Sequence, residues 1–512
     1  MLWFYVMGAI LSGIMIGTSY IPFPPWAIFF CFVPLWRDWL KLAESGVQGS
    51  YRKIWWRGWV TQFLLTLIGF NWVAHTVHEF GHLPWVAAVF CLFGFCAFAN
   101  LHIPIAGVLW FAVSRLAKLN RRQKMLLLPA VLAACEWTFP MIFDWNFGYT
   151  WLYARFPGVH WADVVGIQGL SHIGIFANLF FLWIAESERS ILWKARQVGW
   201  FVAGFMVFNA LGYWHYKQLP VEDAHVRVAV VQANIGNFEK QVAQSGLAFR
   251  GPIIHKFLDL SRQALTQNGP ADLVFWPETA FPDLLSTDRI YSLYLRDLSQ
   301  LTQEFHTTLV TGAFGIQPNG QYTNSLFVIG PDGQIAKPSY AKTVLLAFGE
   351  YFPGANYFPI LLKWFPEVGN FGRGPGPTVI TSGPLHLGAQ ICYEGLFDWF
   401  ARGLADKGAQ IVANVTNDSW YGTWQQPYQH GYMTLSRGLE IRRAVVRSTN
   451  TGISTVISPR GEIQEFSPLN QEWTHVYDLP YYTQPPRTLF ERIGYILEPL
   501  SLVLWMVGVV LL

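Results

Sequence analysis

The sequence predicts a helical membrane bundle of about eight spans joined to one α/β domain, and three observations lead there. Apolar residues fill 52% of the 512 positions and charged residues only 13%, about half the charged share of a soluble domain. The apolar residues concentrate towards the two ends of the chain, with basic residues recurring in every second loop between them. Over residues 221–485 the pattern changes to short apolar strands alternating with amphipathic helices.

Apolar segments able to cover a hydrocarbon core of roughly 30 Å run over 3–20, 24–40, 58–77, 84–114, 125–143, 170–186, 198–215 and 491–512. The second and sixth are short. The fourth is long and is expected to tilt or break near Pro104. Orientation follows from the basic residues. Arg37, Lys41, Arg52, Lys53 and Arg57 follow the second span, and Arg115, Lys118, Arg121, Arg122 and Lys124 follow the fourth. Arg189, Lys194 and Arg196 follow the sixth, whereas 78–84 has no Lys or Arg and 144–169 has only Arg155. Both termini are therefore expected in the cytoplasm, and the segment 216–490 on the outer side.

The N-terminal MLWFYVMGAI has neither a basic leader nor a small-residue cleavage signature, so it reads as an uncleaved span. A net charge of +3 spread over such a chain gives no case for nucleic acid. Cys31, Cys91, Cys96 and Cys135 lie in apolar segments, which leaves Cys392 as the single thiol of the outward domain. That domain cannot close an internal disulfide and must rest on its own core.

Its elements read in order. VRVAVVQAN (226–234) is a strand, 252–267 a helix, ADLVFWPET a strand and 287–305 a helix. TTLVTGAF, SLFVIG and QIAKPSYAK follow as shorter strands, with the turn Pro331-Asp332-Gly333 between the last two. LHLGAQICYE is a strand, 397–408 a helix, IVANVTND a strand and 429–443 a helix, and VVRSTN and GISTVISP close as strands. Nearly continuous apolar strands separated by helices mean a sheet covered by helices. The segment 351–377 breaks this regularity with its aromatic, glycine and proline residues. The division is thus 1–220 for seven spans, 221–485 for the outward domain and 486–512 for the last span.

Three side chains of the domain suggest acyl transfer. Cys392 ends an apolar strand, Glu278 follows another in LVFWPETA, and Lys342 lies in SYAKTVLL. A thiolate attacks esters well and leaves well, given a base and donors for the oxyanion. Glu278 suits the base, and Lys342 can place positive charge beside thiolate and oxyanion. The backbone N–H of Tyr393 is a second candidate donor. Each taken singly has an ordinary reading: a core cysteine, a strand-end carboxylate, a solvated lysine. Their value lies in sharing one domain, each at or beside a strand end.

The order WPET, YAKTVLLAFGEYFP, ICYE resembles the nitrilase superfamily, and the flanking spans are similar to its membrane branch, the apolipoprotein N-acyltransferases. FNWV (70–73), WNFGYTW (145–151), VVQANI (230–235), NDSWYG (417–422) and QHGYMTLSRGLEIRRAVVRSTNTGIS (429–454) extend the resemblance over most of the chain. It implies a nitrilase-like α-β-β-α sandwich, with Cys392 as nucleophile, Glu278 as general base and Lys342 as oxyanion stabiliser. Glu350 matches a second essential carboxylate, and Tyr393 and Glu394 match the residues adjoining the cysteine. Two departures stand out: Ala347 where proline is common before FGE, and NIGNFEKQ with Gln241 where a tryptophan is usual.

The resemblance further implies a ping-pong reaction without cofactor or metal. A membrane phospholipid acylates the cysteine, and the α-amino group of a diacylglyceryl-cysteine apolipoprotein accepts the chain. It implies a multi-pass protein of the bacterial inner (cytoplasmic) membrane with its catalytic domain on the periplasmic side. Phe352, Tyr357, Phe358, Leu361, Leu362, Trp364 and Phe365 read either as a mobile lid dipping into the lipid interface or as an aromatic hairpin packed on the bundle.

Three other readings stay open. His78-Glu79-Phe80-Gly81-His82 spells the zinc-protease HExxH, with His75 one turn earlier and Asp144 as a conceivable further ligand. Gly81 and Leu83-Pro84 argue instead for a span ending in a loop. The same Cys, Glu and Lys would support an amidase with water as acceptor. A transporter or receptor is disfavoured by how few charges, Glu136 among them, fall inside the spans.

Overall fold

The computed structural model describes residues 6–45, 49–236, 247–287, 292–347, 349–355, 357–358, 360, 363 and 370–511. They form two compact units, Met1–Leu219 with Thr488–Leu512, and Pro220–Arg487.

The first unit is helical, and each of the eight apolar segments contains a helix. Among the described residues three runs are long and apolar enough to cross a membrane: Trp85–Leu116, Pro157–Glu186 and Phe490–Leu511. A fourth is added if Ser50–Gly69 and Trp72–Glu79, bent by 63°, count as one crossing. Helix Met7–Gly17 packs on Ser50–Gly69 through small residues. A Cβ on Gly13 would lie 2.8 Å from Leu64 Cβ, and one on Gly17 would lie 2.8 Å from Ile68 Cβ. Small residues four apart let two backbones approach closely, which an apolar surface alone does not achieve in lipid.

Three boundaries differ from the sequence reading, the sixth helix starting already at Ala162 where 170 was expected. The second segment is helical only over Val33–Glu44, and residues 26–32 form turns behind Pro22, Pro24 and Pro25. Its freed backbone groups are met by one side chain: Asn178 Nδ2 donates to Ile28 O at 2.9 Å, and Asn178 Oδ1 accepts from Phe32 N at 2.8 Å. Irregular backbone is tolerated in such surroundings only when satisfied in this way. The fourth segment breaks at residues 99–101, between Trp85–Phe98 and His102–Leu116. Pro104 causes no break because it sits in the first turn of the second helix, where its missing N–H forfeits no helical bond.

Among its described residues the second unit contains twelve strands in chain order: β1 Ala224–Gln232, β2 Leu273–Phe275, β3 Phe281–Leu284, β4 Thr308–Ile316, β5 Tyr322–Ile329, β6 Tyr340–Ala341, β7 Thr378–Ser382, β8 Leu385–Ile391, β9 Ile411–Thr416, β10 Ala444–Thr449, β11 Thr455–Ile457 and β12 Trp473–Tyr481. Seven make one sheet in the order β12-β1-β2-β4-β5-β6, with β3 paired to β4. Five make the other, β11-β10-β9-β8-β7. The sheets face each other, bridged by Thr449 Oγ1 to Gln232 Oε1 at 3.2 Å and by Thr308 Oγ1 with Ser382 Oγ at 3.1 Å.

Helix Leu247–Gln267 covers the larger sheet, burying Phe257 and Leu258 with Val231, Trp276 and Leu309. Each such side chain contributes about 1.5–3 kcal/mol. Helices Asp398–Asp406 and Gln426–Ile441 cover the smaller sheet, for example Leu404 against Gly388 and Gly438 against Val445. The α-β-β-α order implied by the resemblance is the one found. Four expectations change: QIAKPSYAK is strand only at Tyr340–Ala341, while Phe281–Leu284, Thr378–Ser382 and Trp473–Tyr481 are strands the hydropathy pattern did not mark.

Candidate active site

Four parallel strands deliver polar residues at their carboxyl ends. Glu278 lies three residues beyond the end of β2, Cys392 directly follows β8, Asn417 follows β9 and Asn450 follows β10. Ligand sites in α/β sheets gather at such ends, where strand pairing stops and side chains converge. Two of these turns are sharp. Cys392 has φ of 51° where β8 passes into a one-turn helix, and Thr279, next to Glu278, has φ of 52°. Left-handed backbone is rare for β-branched and other non-glycine residues, costs about 1–3 kcal/mol and collects at functional sites.

The carboxylates and the ammonium form one buried cluster. Lys342, 1% exposed, donates from Nζ to Glu278 Oε1 at 3.2 Å and to Glu350 Oε1 at 2.9 Å. Asn324 Nδ2 bridges the same two oxygens, at 2.6 Å to Glu278 and 2.9 Å to Glu350. Glu278 Oε2 accepts the Asn417 N–H at 2.9 Å, and Glu350 Oε2 accepts the Leu346 N–H at 2.9 Å. Two ammonium hydrogens are used, so one has no partner among the described residues. Burial alone would lower the Lys342 ammonium, but Glu278 and Glu350 outweigh it and hold the amine well above its usual value. It stays charged.

Cys392 shares this field. Burial first, then the Glu278 charge, pushes its thiol well up, and Lys342 opposes them. At rest this group is therefore the protonated thiol. Glu394 ties the Cys392 turn to the lysine segment. Its Oε1 accepts from Tyr340 Oη at 2.5 Å, Thr343 N at 2.7 Å and Val344 N at 2.9 Å, and its Oε2 accepts from Ile391 N at 2.8 Å. Burial pushes this carboxyl to about 7 despite the four donors.

The lysine segment is also pinned by backbone contact. Gly374 N donates to Lys342 O at 2.9 Å, and a Cβ at Gly374 would stand 1.8 Å from Ala341 O. Gly374→Ala is therefore expected to destabilise this unit by about 3 kcal/mol, read as a lower midpoint of thermal unfolding in detergent.

The structure thus brings Glu278, Lys342, Cys392, Glu350 and Glu394 together. Tyr393 packs edge-on against Phe397, ring centroids 5.0 Å apart. Of the proposed lid, Phe352 is half-buried, and Tyr357 and Phe358 are 85% and 65% exposed. Leu361, Leu362, Trp364 and Phe365 lie outside the described residues, as does Gln241. In the HExxH segment His78 Nδ1 pairs with Leu83 O at 2.7 Å and its ring stacks on Trp85 at 4.3 Å. Among the described residues no group of three or more His, Cys, Asp or Glu is placed to hold a metal ion. Sequence reasoning missed Asn324, an ordinary polar residue near the start of a strand. It quoted Asn417 within NDSWYG without giving it a role.

Residues 227–484 match the family described as carbon-nitrogen hydrolase, and residues 12–180 match the apolipoprotein N-acyltransferase N-terminal domain. The chain is 43% identical to an apolipoprotein N-acyltransferase of Bdellovibrio bacteriovorus, over 95% of this chain and 90% of that one. It is 30% identical to another of Geobacter metallireducens, over 91% of this chain and 88% of that one. Among solved structures, a Saccharomyces cerevisiae member of the nitrilase superfamily is similar at 18% identity and a TM-score of 0.39, covering 54% of this chain and 96% of that one.

Proposed function

The chain belongs to the apolipoprotein N-acyltransferase family and is an N-acyltransferase of lipoprotein biosynthesis, and from that premise we propose how its own residues perform the transfer. Glu278 takes the Cys392 proton as sulfur attacks the ester carbonyl of a phospholipid. Lys342 and a backbone N–H after Cys392 stabilise the oxyanion. The intermediate collapses, the leaving alkoxide recovers the proton from Glu278, and a lysophospholipid departs from a thioester on Cys392. The neutral α-amino group of a diacylglyceryl-cysteine then attacks that thioester. Glu278 passes the amine proton to the leaving sulfur, giving the amide and the free thiol.

The observation that carries this reading is the shared cage: one ammonium and one amide hold two carboxylates beside a protonated thiol. Glu350 and Glu394 position that cage without meeting the substrate. Intact-mass measurement after incubation with phospholipid should show one added acyl chain, removed by neutral hydroxylamine. Absence of the adduct from the wild-type protein would sink the mechanism. Glu278→Gln is expected to slow adduct formation by about a hundredfold or more with unfolding unchanged, and an undiminished rate removes Glu278 from the base role.

We read the helical unit as eight crossings with both termini cytoplasmic and the catalytic unit, residues 221–485, on the periplasmic side of a bacterial inner membrane. An ionic cluster supports this orientation: Arg37 pairs with Glu186 at 2.5 Å, and Arg121 pairs with Glu44 at 2.8 Å and with Glu186. These residues lie on or at the ends of helices on the side that charge asymmetry assigns to the cytoplasm. The exposed Tyr357, Phe358 and Ile360 support a lipid-facing role for the 351–377 segment. Transfer to an amine rather than hydrolysis then depends on keeping water from the thioester.

A further inference from the structure

We propose that the buried pair of Asp418 and Arg447 is a positioning device that aligns the Glu278 carboxylate with the turn carrying Cys392. The inference rests on the roles proposed above for those two residues.

The pair lies beneath the site, where β9 and β10 run parallel. Arg447, fully buried within β10, meets Asp418 Oδ2 through Nη2 at 2.8 Å. His430 Nδ1 meets Asp418 Oδ1 at 2.9 Å. Two routes leave this pair, one along the chain and one through hydrogen bonds. In the first, Asp418 fixes its neighbour Asn417, whose N–H donates to Glu278 Oε2 at 2.9 Å. Asn417 Oδ1 is held in turn by Asn450 Nδ2 at 3.1 Å and Ser419 Oγ at 3.0 Å.

In the second route, Arg447 Nη1 donates to Asn414 Oδ1 at 2.9 Å and Asn414 Nδ2 to Gln390 Oε1 at 3.3 Å. Gln390 Nε2 then donates to Glu394 O at 3.2 Å, inside the turn that begins at Cys392. One guanidinium thus reaches both the base and the nucleophile turn.

The surroundings are shaped around the pair. A Cβ on Gly452 would lie 2.2 Å from Asp418 Oδ2, and one on Gly395 would lie 2.6 Å from Thr434 Oγ1, which also accepts from Arg447. Stability alone does not account for the arrangement, because desolvating two charges costs about as much as their attraction returns. Burial would raise the Asp418 carboxyl, but Arg447 and then His430 outweigh it and hold it below the usual range. Asp418 is therefore ionised. The groups facing the Cys392 thiol are Glu278, Lys342, Asp418 and Tyr421.

The test is single-turnover acylation of the full-length protein by phospholipid in mixed micelles, followed by intact mass across pH. Asp418→Asn keeps the side-chain shape and removes the charge. Its limiting rate should fall about tenfold to a hundredfold with KM for the phospholipid unchanged. The ascending limb of the pH profile should also move to lower pH, because a negative charge that favours proton retention at the site has gone. Arg447→Lys, which keeps the charge but loses the second route, should fall by about tenfold. Should Asp418→Asn not fold, His430→Gln removes one partner of the same carboxylate, and a fall of about threefold at unchanged KM is expected.

A lowered melting temperature with wild-type rate and an unmoved limb would make the pair merely structural and overturn the inference. No adduct on the wild-type protein would instead remove the thioester reading, and this inference with it.

Discussion

Cys392→Ala is expected to reduce acyl transfer to background, a loss of about a thousandfold or more, while unfolding stays as in the wild type. The thiol contributes little packing beyond its one sulfur, and alanine is no worse suited than cysteine to the φ of 51° at this position. The check is transfer from phospholipid to a synthetic diacylglyceryl-cysteine peptide, with the mass of residue 392 read in parallel. Retained transfer would mean that the chain passes directly from ester to amine. The covalent step would then be wrong even if the family assignment holds.

The second large effect belongs to Lys342. In Lys342→Met, Glu278 and Glu350 keep their places but lose the cation that both contact, at 3.2 Å and 2.9 Å. Breaking a buried ion pair from one side costs about 3–5 kcal/mol, and losing an oxyanion donor costs about a hundredfold to a thousandfold in rate. Both losses are expected together, read by chemical unfolding and by adduct formation. The stability loss should shrink as pH falls, because protonating one carboxylate relieves the repulsion that the lysine had offset. Adding Glu350→Gln should restore stability without restoring the rate. If the single variant is as stable as the wild type, the carboxylates are not a charged pair at neutral pH.

The strands that carry the chemistry were legible because they are buried on both faces. Runs such as LVF (273–275) and LGAQI (387–391) are buried throughout, so the polar residues just beyond them stand out, Glu278 and Cys392 with them. The strands that were missed are edges. Trp473–Tyr481 pairs on one side only, with β1, and keeps Pro480. Its mixed pattern of burial resembles a loop in sequence. Thr378–Ser382 is likewise an edge, paired to β8 alone. The reverse error, QIAKPSYAK, came from counting apolar residues across Pro338, which has no N–H to give a ladder.

In the helical unit, hydropathy placed a helix in each of the eight apolar segments but missed the short helix Tyr149–Tyr153 and misplaced the starts of the second and sixth. Turns at residues 26–32 are stabilised by Asn178, about 150 residues away, and no local pattern contains that partner. The same holds for Asn324 in the cage, whose partners Glu278 and Glu350 lie 46 and 26 positions distant. Glu350 itself was reached only through the resemblance. Its neighbours in FGEYFP carry no periodic signal.

The aromatic segment after Glu350 is fastened at its feet to the chemistry. Phe371 N donates to Glu350 O at 3.3 Å, Gly372 N to Tyr322 O at 2.8 Å and Gly374 N to Lys342 O at 2.9 Å. None of these anchors uses a side chain from the apex. Substitutions at the exposed Tyr357 and Phe358 therefore leave these backbone anchors in place.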